Sequence, residues 1–543
     1  MHWAGVLGAF LLALALLSGS IIDTTVSWMD VKVHDAIDQQ IVWREDSPPP
    51  VQDRFRGKSN TTVYIHYYFF NVTNVPDVRA GAKPVLEEVG PFVFIKRATK
   101  ERVQFHDGSV TYFDYTYFLP CPEKTPLSLD TAITTLNLPL VGAVERIAGW
   151  APSTAARWLS WLARAVEAWS GADVRGLFTT RTVAELLWGY DDPLLAKLHW
   201  LAPQLDPHFS IVKNMTGVDA AVERGPLTVH VGSPADAGAF WQLRQWRGIT
   251  QVMAWAPPHV ERVRGGDGLQ FDPGMRVNDT ALVWVGEIFR AVSLVATEPA
   301  RLHGVPLLRL RSDPHEGDVD PRYYQYIRGL MNVTAIMASG PSQPPSKPGP
   351  PLFLSMPHFC KADPRLAEGV VGLQCRPENH TVFLDVEPNT GITVRGARRI
   401  QLNSQFGPRY KSIDAHVRDT VLPIFWAEEI SEATPEQMSG FGALLAARKL
   451  RQGLADGRLQ ILAALSALGA VLLVYAVVLT AAPETAMAAP RPSLQPGSQP
   501  VSDPAPESDP EAQPLLPEQG MTLEEIRAEL ASHQLSRDNS ADP

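Results

Sequence analysis

The sequence predicts a two-span membrane protein of the α+β class. Three observations carry this: two long uncharged apolar runs lie near its ends, six N-glycosylation sequons fall between them, and strand-like runs flank a helical insertion.

The first run, Trp3 to Ile22 (WAGVLGAFLLALALLSGSII), would make a helix of about 30 Å, the thickness of a bilayer's hydrocarbon core. It is either an uncleaved anchor or a signal peptide cleaved near Ser18, Gly19 and Ser20. The missing positive n-region and the length of the run favour an anchor over 1–22. The second run, Leu459 to Pro483, has only Gln460 and Ser466 as polar residues before its far end. It lacks the polar stripe of a soluble helix, and a span is expected at 459–482.

Of eleven asparagines, six begin Asn-x-Thr (Asn60, Asn71, Asn214, Asn278, Asn332 and Asn379), where chance supplies roughly one or two. All six lie between the runs, so 23–458 is expected in the lumen or outside the cell, with both termini cytosolic. Arg448, Lys449, Arg451 and Arg458 precede the second run and only Arg491 follows closely, the reverse of the positive-inside bias. That bias weakens for a loop this long.

Within 23–458, Thr62 to Val72 (TVYIHYYFFNV) reads as a strand. Val103, Phe105, Val110, Tyr112 and Tyr115 flank Asp107-Gly108 as a hairpin does, and TVFLDVEPNTGITV (381–394) suggests a second one turning at Asn389-Thr390-Gly391. Between these strands, roughly 129–202 changes to helical period. Trp158, Trp161, Leu162, Ala165 and Trp169 share one face, Arg157, Arg164 and Glu167 lie off it, and Ser153 sits at the N-cap. This stripe is either core between helices or a surface for lipid or a partner. The Pro-rich 340–351 segment is a loop.

Composition excludes several classes. Three cysteines rule out a disulfide-dense scaffold and show no zinc spacing. Cys360 and Cys375 are the favoured disulfide in an oxidising compartment, with a pairing of Cys121 to either left open. No P-loop, HExxH or GxSxG occurs, so no enzyme, cofactor or metal is expected, and His199 and His358 read as structural. The net charge of −10 argues against nucleic acid as a partner. Residues 483–543 hold eleven acids and three bases, −8, so the rest of the chain is nearly neutral. This Pro-, Ser- and acid-rich tail is expected to be disordered and cytosolic. Within it, Glu511, Leu515 and Leu516 have the spacing of an acidic dileucine sorting signal read by a clathrin adaptor. Thr522 to Glu525 has capping-box spacing ahead of Leu523, Ile526 and Leu530, a short helix at most.

Several blocks together resemble the class B scavenger receptor family: YFFNVTN (68–74), KPVLEEVGPFVF (83–94), RTVAELLWGYDDPLL (181–195), GGDGLQFDP (265–273), IFRAVSL (288–294), MPHFCKADPRL (356–366), HTVFLDVEPNTGITVRGARRIQLN (380–403) and VLPIFWAEE (421–429). They occur in family order between the two spans. The resemblance implies a luminal antiparallel β-barrel-like domain with a helical-bundle apex and an apolar tunnel toward the membrane. Ligands would dock at the apex, here on Trp158, Trp161, Leu162, Trp169, Arg157 and Arg164. It implies a membrane receptor that binds lipid or lipoprotein and transfers lipid through the tunnel, in endolysosomal membranes with a plasma-membrane pool. The alternative is a lysosomal sorting receptor that carries a luminal hydrolase on its apex. The chain departs from the family pattern where Phe289 and Val260 replace expected cysteines and where 340–351 replaces a cysteine-rich loop. No lysine precedes Arg181 in the apex region, which offers Arg157, Arg164 and Arg175 instead.

Overall fold

A computed structural model describes residues 3–57, 61–150, 176–201, 206–212, 225–231, 240–255, 259–339, 349–410, 413–414 and 416–481. The chain forms two compact units, one of Met1–Thr25 with Leu454–Pro543 and one of Val26–Gly453.

Two long helices, Trp3–Ile41 and Gly442–Ala481, contain the apolar runs, and both are long and apolar enough to cross a membrane. The first continues well past the uncharged run because 23–41 contains neither Gly nor Pro to stop it. In the first unit their backbones touch. A Cβ on Gly8 would stand 2.8 Å from the Leu473 nitrogen and 2.9 Å from the Gly469 oxygen, and one on Gly5 would stand 3.2 Å from Ala476 Cβ. Small residues thus permit the close approach that drives helix pairing in lipid. Arg458 pairs with Asp23 at 2.7 Å in this unit. In the other unit, Arg451 holds Asp30 through two bonds of 2.9 and 3.0 Å. Two of the four bases preceding the second run therefore have acidic partners on the first helix, a structural reason for a charge bias that runs against the topological rule.

The second unit is built on one antiparallel sheet of thirteen strands. Its principal strands are β1 (Val63–Val72), β2 (Leu86–His106) and β3 (Ser109–Pro120), then, after the separate ribbon of β4 (Ala132–Leu136) and β5 (Phe178–Thr182), β6 (Leu227–His230), β7 (Leu243–Trp246), β8 (Thr280–Val285), β9 (Arg290–Leu302), β10 (Val305–Ser312), β11 (Leu352–Ser355), β12 (Phe383–Glu387), β13 (Ile392–Phe406) and β14 (Thr420–Glu432). Their spatial order is β8, β9, β10, β12, β13, β14, β1, β2, β3, β6, β7, with β11 on β13 and Met331–Asn332 on β11. The two halves of the chain meet at β1 and β14, where Tyr64 faces Ile430 and Phe69 faces Phe425. Both expected hairpins form: β2 and β3 turn at Asp107-Gly108, and β12 and β13 at Asn389 to Gly391, with Gly108 at φ 65° and Gly391 at φ 73°.

The edges β7 and β8 are joined through Gly265-Gly266. The Leu243 amide donates to the Gly265 oxygen, the Gly266 amide to the Leu282 oxygen and the Trp284 amide to the Gly266 oxygen. Gly265 has φ +85°, and a Cβ there would meet the Leu282 oxygen at 2.8 Å, so glycine is required for this join. This join brings the two edges together and makes the sheet nearly barrel-shaped.

In the described part of 129–202, the β4–β5 ribbon is accompanied by helices Leu138–Trp150, Val183–Trp188 and Pro193–Leu201. The second of these starts at a capping box between Thr182 and Glu185. Cys360 and Cys375 form the favoured disulfide, with Cα atoms 5.1 Å apart, and Cys121 is free and buried.

Candidate functional site

Two large apolar cores fill the second unit. One gathers Leu136, Leu140, Val141 and Leu186 from the ribbon and helices with Ile65, Tyr67 and Phe69 of β1. Alternate residues of β1 face inward, as a strand's two-residue period requires. The other core is rich in tryptophan: Trp43, Trp241, Trp246, Trp255 and Trp284 are all buried. It also takes in Ile37 and Ile41 from the end of the N-terminal helix, Met438 and Phe441 from the segment just before the C-terminal one, and Leu444 from that helix's first turn. Each buried aromatic ring removes 150–250 Å² from water, roughly 4–6 kcal/mol of gross transfer free energy per ring.

Charges lie inside this second core. Lys100, on β2, is buried, and its ammonium is 3.8 Å from Asp267 Oδ2 and 5.0 Å from the Tyr112 ring centre. Arg290, on β9, is also buried. It pairs with Glu316 at 2.6 Å and lies 3.7 Å over the Tyr323 ring, whose hydroxyl donates to the buried carboxylate of Glu261. Burial raises the Glu316 carboxyl above its ordinary range even though Arg290 opposes the shift. Burial and the bond to Glu261 raise the Tyr323 phenol. Phe289, in place of an expected cysteine, packs on Trp246 at 5.2 Å, and its carbonyl accepts from the Trp255 indole at 3.4 Å.

A second group of titratable side chains surrounds the disulfide. His358 and His380 stack at 4.2 Å with their rings 3° apart. Each Nδ1 accepts a backbone amide beside Cys375, from Gln374 at 3.1 Å and from Arg376 at 3.0 Å. With Nδ1 accepting, His358 Nε2 carries the proton and donates to Glu88 at 2.6 Å. The Trp426 indole donates to the same Glu88 oxygen at 2.8 Å and stands edge-on to both rings. Burial raises the Glu88 carboxyl, but these two hydrogen bonds outweigh it and the group sits below its ordinary value. Burial, with His358 beside it, pushes His380 down to about 4. Beyond Trp426, Glu428 bonds His66 and Arg399. His358, expected to be structural from sequence, is thus a fully hydrogen-bonded buried residue. Among the described residues, no group of three or more His, Cys, Asp and Glu is placed to hold a metal ion.

The sequence-predicted sites distribute unevenly. Trp158, Trp161, Leu162, Trp169, Arg157 and Arg164, the sorting residues Glu511, Leu515 and Leu516, and the sequons at Asn60 and Asn214 lie outside the described residues. Asn278 and Asn379 are exposed. Asn71 accepts the Thr134 amide at 2.9 Å, and Asn332 donates to Gln325 at 3.1 Å. The buried Lys100 and Arg290 and their part-buried partners Asp267 and Glu316 carry no motif in the sequence: two lie on strands and two in loops far away in the chain.

The CD36 family model matches residues 8–480. The chain is 28% identical over 391 residues to lysosome membrane protein 2 of Rattus norvegicus, covering 69% of this chain and 77% of that protein. It is 27% identical over 398 residues to scavenger receptor class B member 1 of Bos taurus, covering 70% and 72%. With two candidate terminal spans, a nearly barrel-shaped antiparallel sheet and this match over nearly its whole length, the chain belongs to the CD36 family, the class B scavenger receptors.

Proposed function

We propose that this chain is a membrane receptor that takes lipid, free or from a lipoprotein, into the aromatic interior of its sheet and passes it to the membrane in which its two helices are anchored. One observation carries the reading: the tryptophan-rich core is built partly from Ile37, Ile41 and Leu444, on the helices that lead to the membrane. Apolar surface therefore begins where an acyl chain would enter or leave, and an amphiphile is the ligand such an interior suits. The two relatives named above, one a scavenger receptor, support this reading. Mass spectrometry of lipids retained by the full-length glycosylated chain tests it, with about one lipid or more per chain expected. A lipid-free interior together with a co-purifying luminal hydrolase would favour the sorting-receptor alternative.

An endolysosomal location is supported by the similarity to lysosome membrane protein 2 and by Glu511, Leu515 and Leu516. Replacing both leucines with alanine is expected to move the protein to the cell surface, and unchanged staining of endolysosomes would sink this assignment.

A further inference from the structure

We propose that Lys100, Asp267 and Tyr112 form a binding site for the uncharged hydroxyl end of an apolar molecule inside the tryptophan-rich core. This deepens the lipid-receptor reading and rests on it.

Asp267 is held through one oxygen only. Its Oδ1 accepts the Trp241 indole at 2.8 Å and the Leu269 amide at 3.0 Å, while the buried Oδ2 accepts no hydrogen bond. The Lys100 ammonium, its side chain 8% exposed, stands 3.8 Å from that Oδ2, beyond hydrogen-bond range. The hydroxyl of Tyr112, a fully buried residue, has no partner either, and burial with Asp267 nearby keeps it protonated as a donor. Two buried oxygens, Asp267 Oδ2 and the Tyr112 hydroxyl, therefore lack hydrogen bonds beside an ammonium 3.8 Å from the first and 5.0 Å from the ring centre that carries the second, and each unmade bond destabilises a buried group. An oxygen about 2.8 Å from both Nζ and Oδ2 completes the triangle, accepting from lysine and donating to aspartate. A hydroxyl does both. A carboxylate only accepts, and it would bring a second anion against Asp267.

The surroundings supply the apolar part. The Trp241 ring packs on Phe55 at 4.7 Å, Phe55 stacks on Trp43 at 5.5 Å, and Trp43 lies 6.1 Å from Tyr112. Trp43 follows the end of the N-terminal helix by two residues, so the polar triangle lies beside the point where that helix joins the sheet.

The test loads the full-length chain, purified in detergent, with 1-hexadecanol, cholesterol, palmitate or hexadecane, and measures retention by mass spectrometry. The two alcohols separate a chain-like from a ring-like tail. Wild type should hold at least one alcohol about tenfold more tightly than palmitate or hexadecane. Asp267→Asn and Lys100→Met should each remove most of that preference. Tyr112→Phe is the decisive variant: its lost oxygen has no protein partner, so a purely structural role leaves the variant as stable as wild type with alcohol binding unchanged. A loss of about threefold or more in alcohol retention with unaltered melting supports the site. Equal retention of alcohol and hexadecane, unaffected by the variants, overturns it and leaves the lipid-receptor reading standing. Retention of no probe by wild type overturns both.

Discussion

Acidification from pH 7 to pH 5 should weaken the fold through His380. Burial and the adjacent His358 hold its pKa at about 4, against the usual 6.5. The unfolded chain takes up this proton as pH falls through 6.5, whereas the folded chain resists until near 4. The contribution is therefore fully present above 6.5 and lost progressively below it. At pH 5 the gap of about one and a half units is worth about 2 kcal/mol at 1.4 kcal/mol per unit, and screening by solvent reduces this to about 1–2 kcal/mol. Glu88 and Glu428, held below their ordinary values, lose their contributions only as pH falls below about 4.5, so they leave this window to the imidazole. For the unit of about 430 residues, an unfolding entropy near 2.1 cal/mol/K per residue converts the loss to about 1–2 °C in Tm. His380→Phe keeps a ring against His358 but gives up both the titration and the acceptor for the Arg376 amide. It should melt lower at pH 7 and lack that 1–2 °C of pH dependence. Thermal unfolding of both proteins in nanodiscs at pH 7 and pH 5 measures the difference of differences. Identical pH slopes would mean that His380 titrates normally in the fold, and the reasoning would fail.

Other perturbations test the fold and its anchors. Replacing Cys360 and Cys375 with serine opens a loop spanning fifteen positions and should cost about 3 kcal/mol in denaturant unfolding; an unshifted midpoint would count against any stabilising role. Gly265→Ala adds a Cβ 2.8 Å from the Leu282 oxygen at a positive φ, so a loss of about 1–3 kcal/mol is expected, with faster hydrogen exchange at Leu243, Gly266 and Trp284. Protection equal to wild type would show that the sheet closes without this join. Cysteines placed at Gly5 and Ala476 should cross-link spontaneously, and Gly8→Leu should abolish the link by separating the helix backbones. Cross-linking that survives Gly8→Leu would contradict the glycine contact.

Local and compositional properties were legible from residues alone. The apolar runs, the two hairpins at Asp107-Gly108 and Asn389 to Gly391, the Cys360–Cys375 pair and the family resemblance each depend on a short stretch or on the order of such stretches. The hydrophobic and turn signals that produce them act over a few residues. What the tertiary structure decided is which charges are inside. Lys100 and Asp267 are 167 positions apart, and His358 and His380 are separated by the disulfide loop. Whether such residues meet depends on strand register and on where the sheet closes, here at Gly265-Gly266, and a one-residue change in register would turn Lys100 to the opposite face. The sequence by itself determined that this chain is a two-span CD36-family protein with a large β-rich segment between its spans. Only the folded sheet decided that a lysine stands beside an aspartate and a tyrosine ring among tryptophans, because burial is a property of the whole arrangement rather than of any segment.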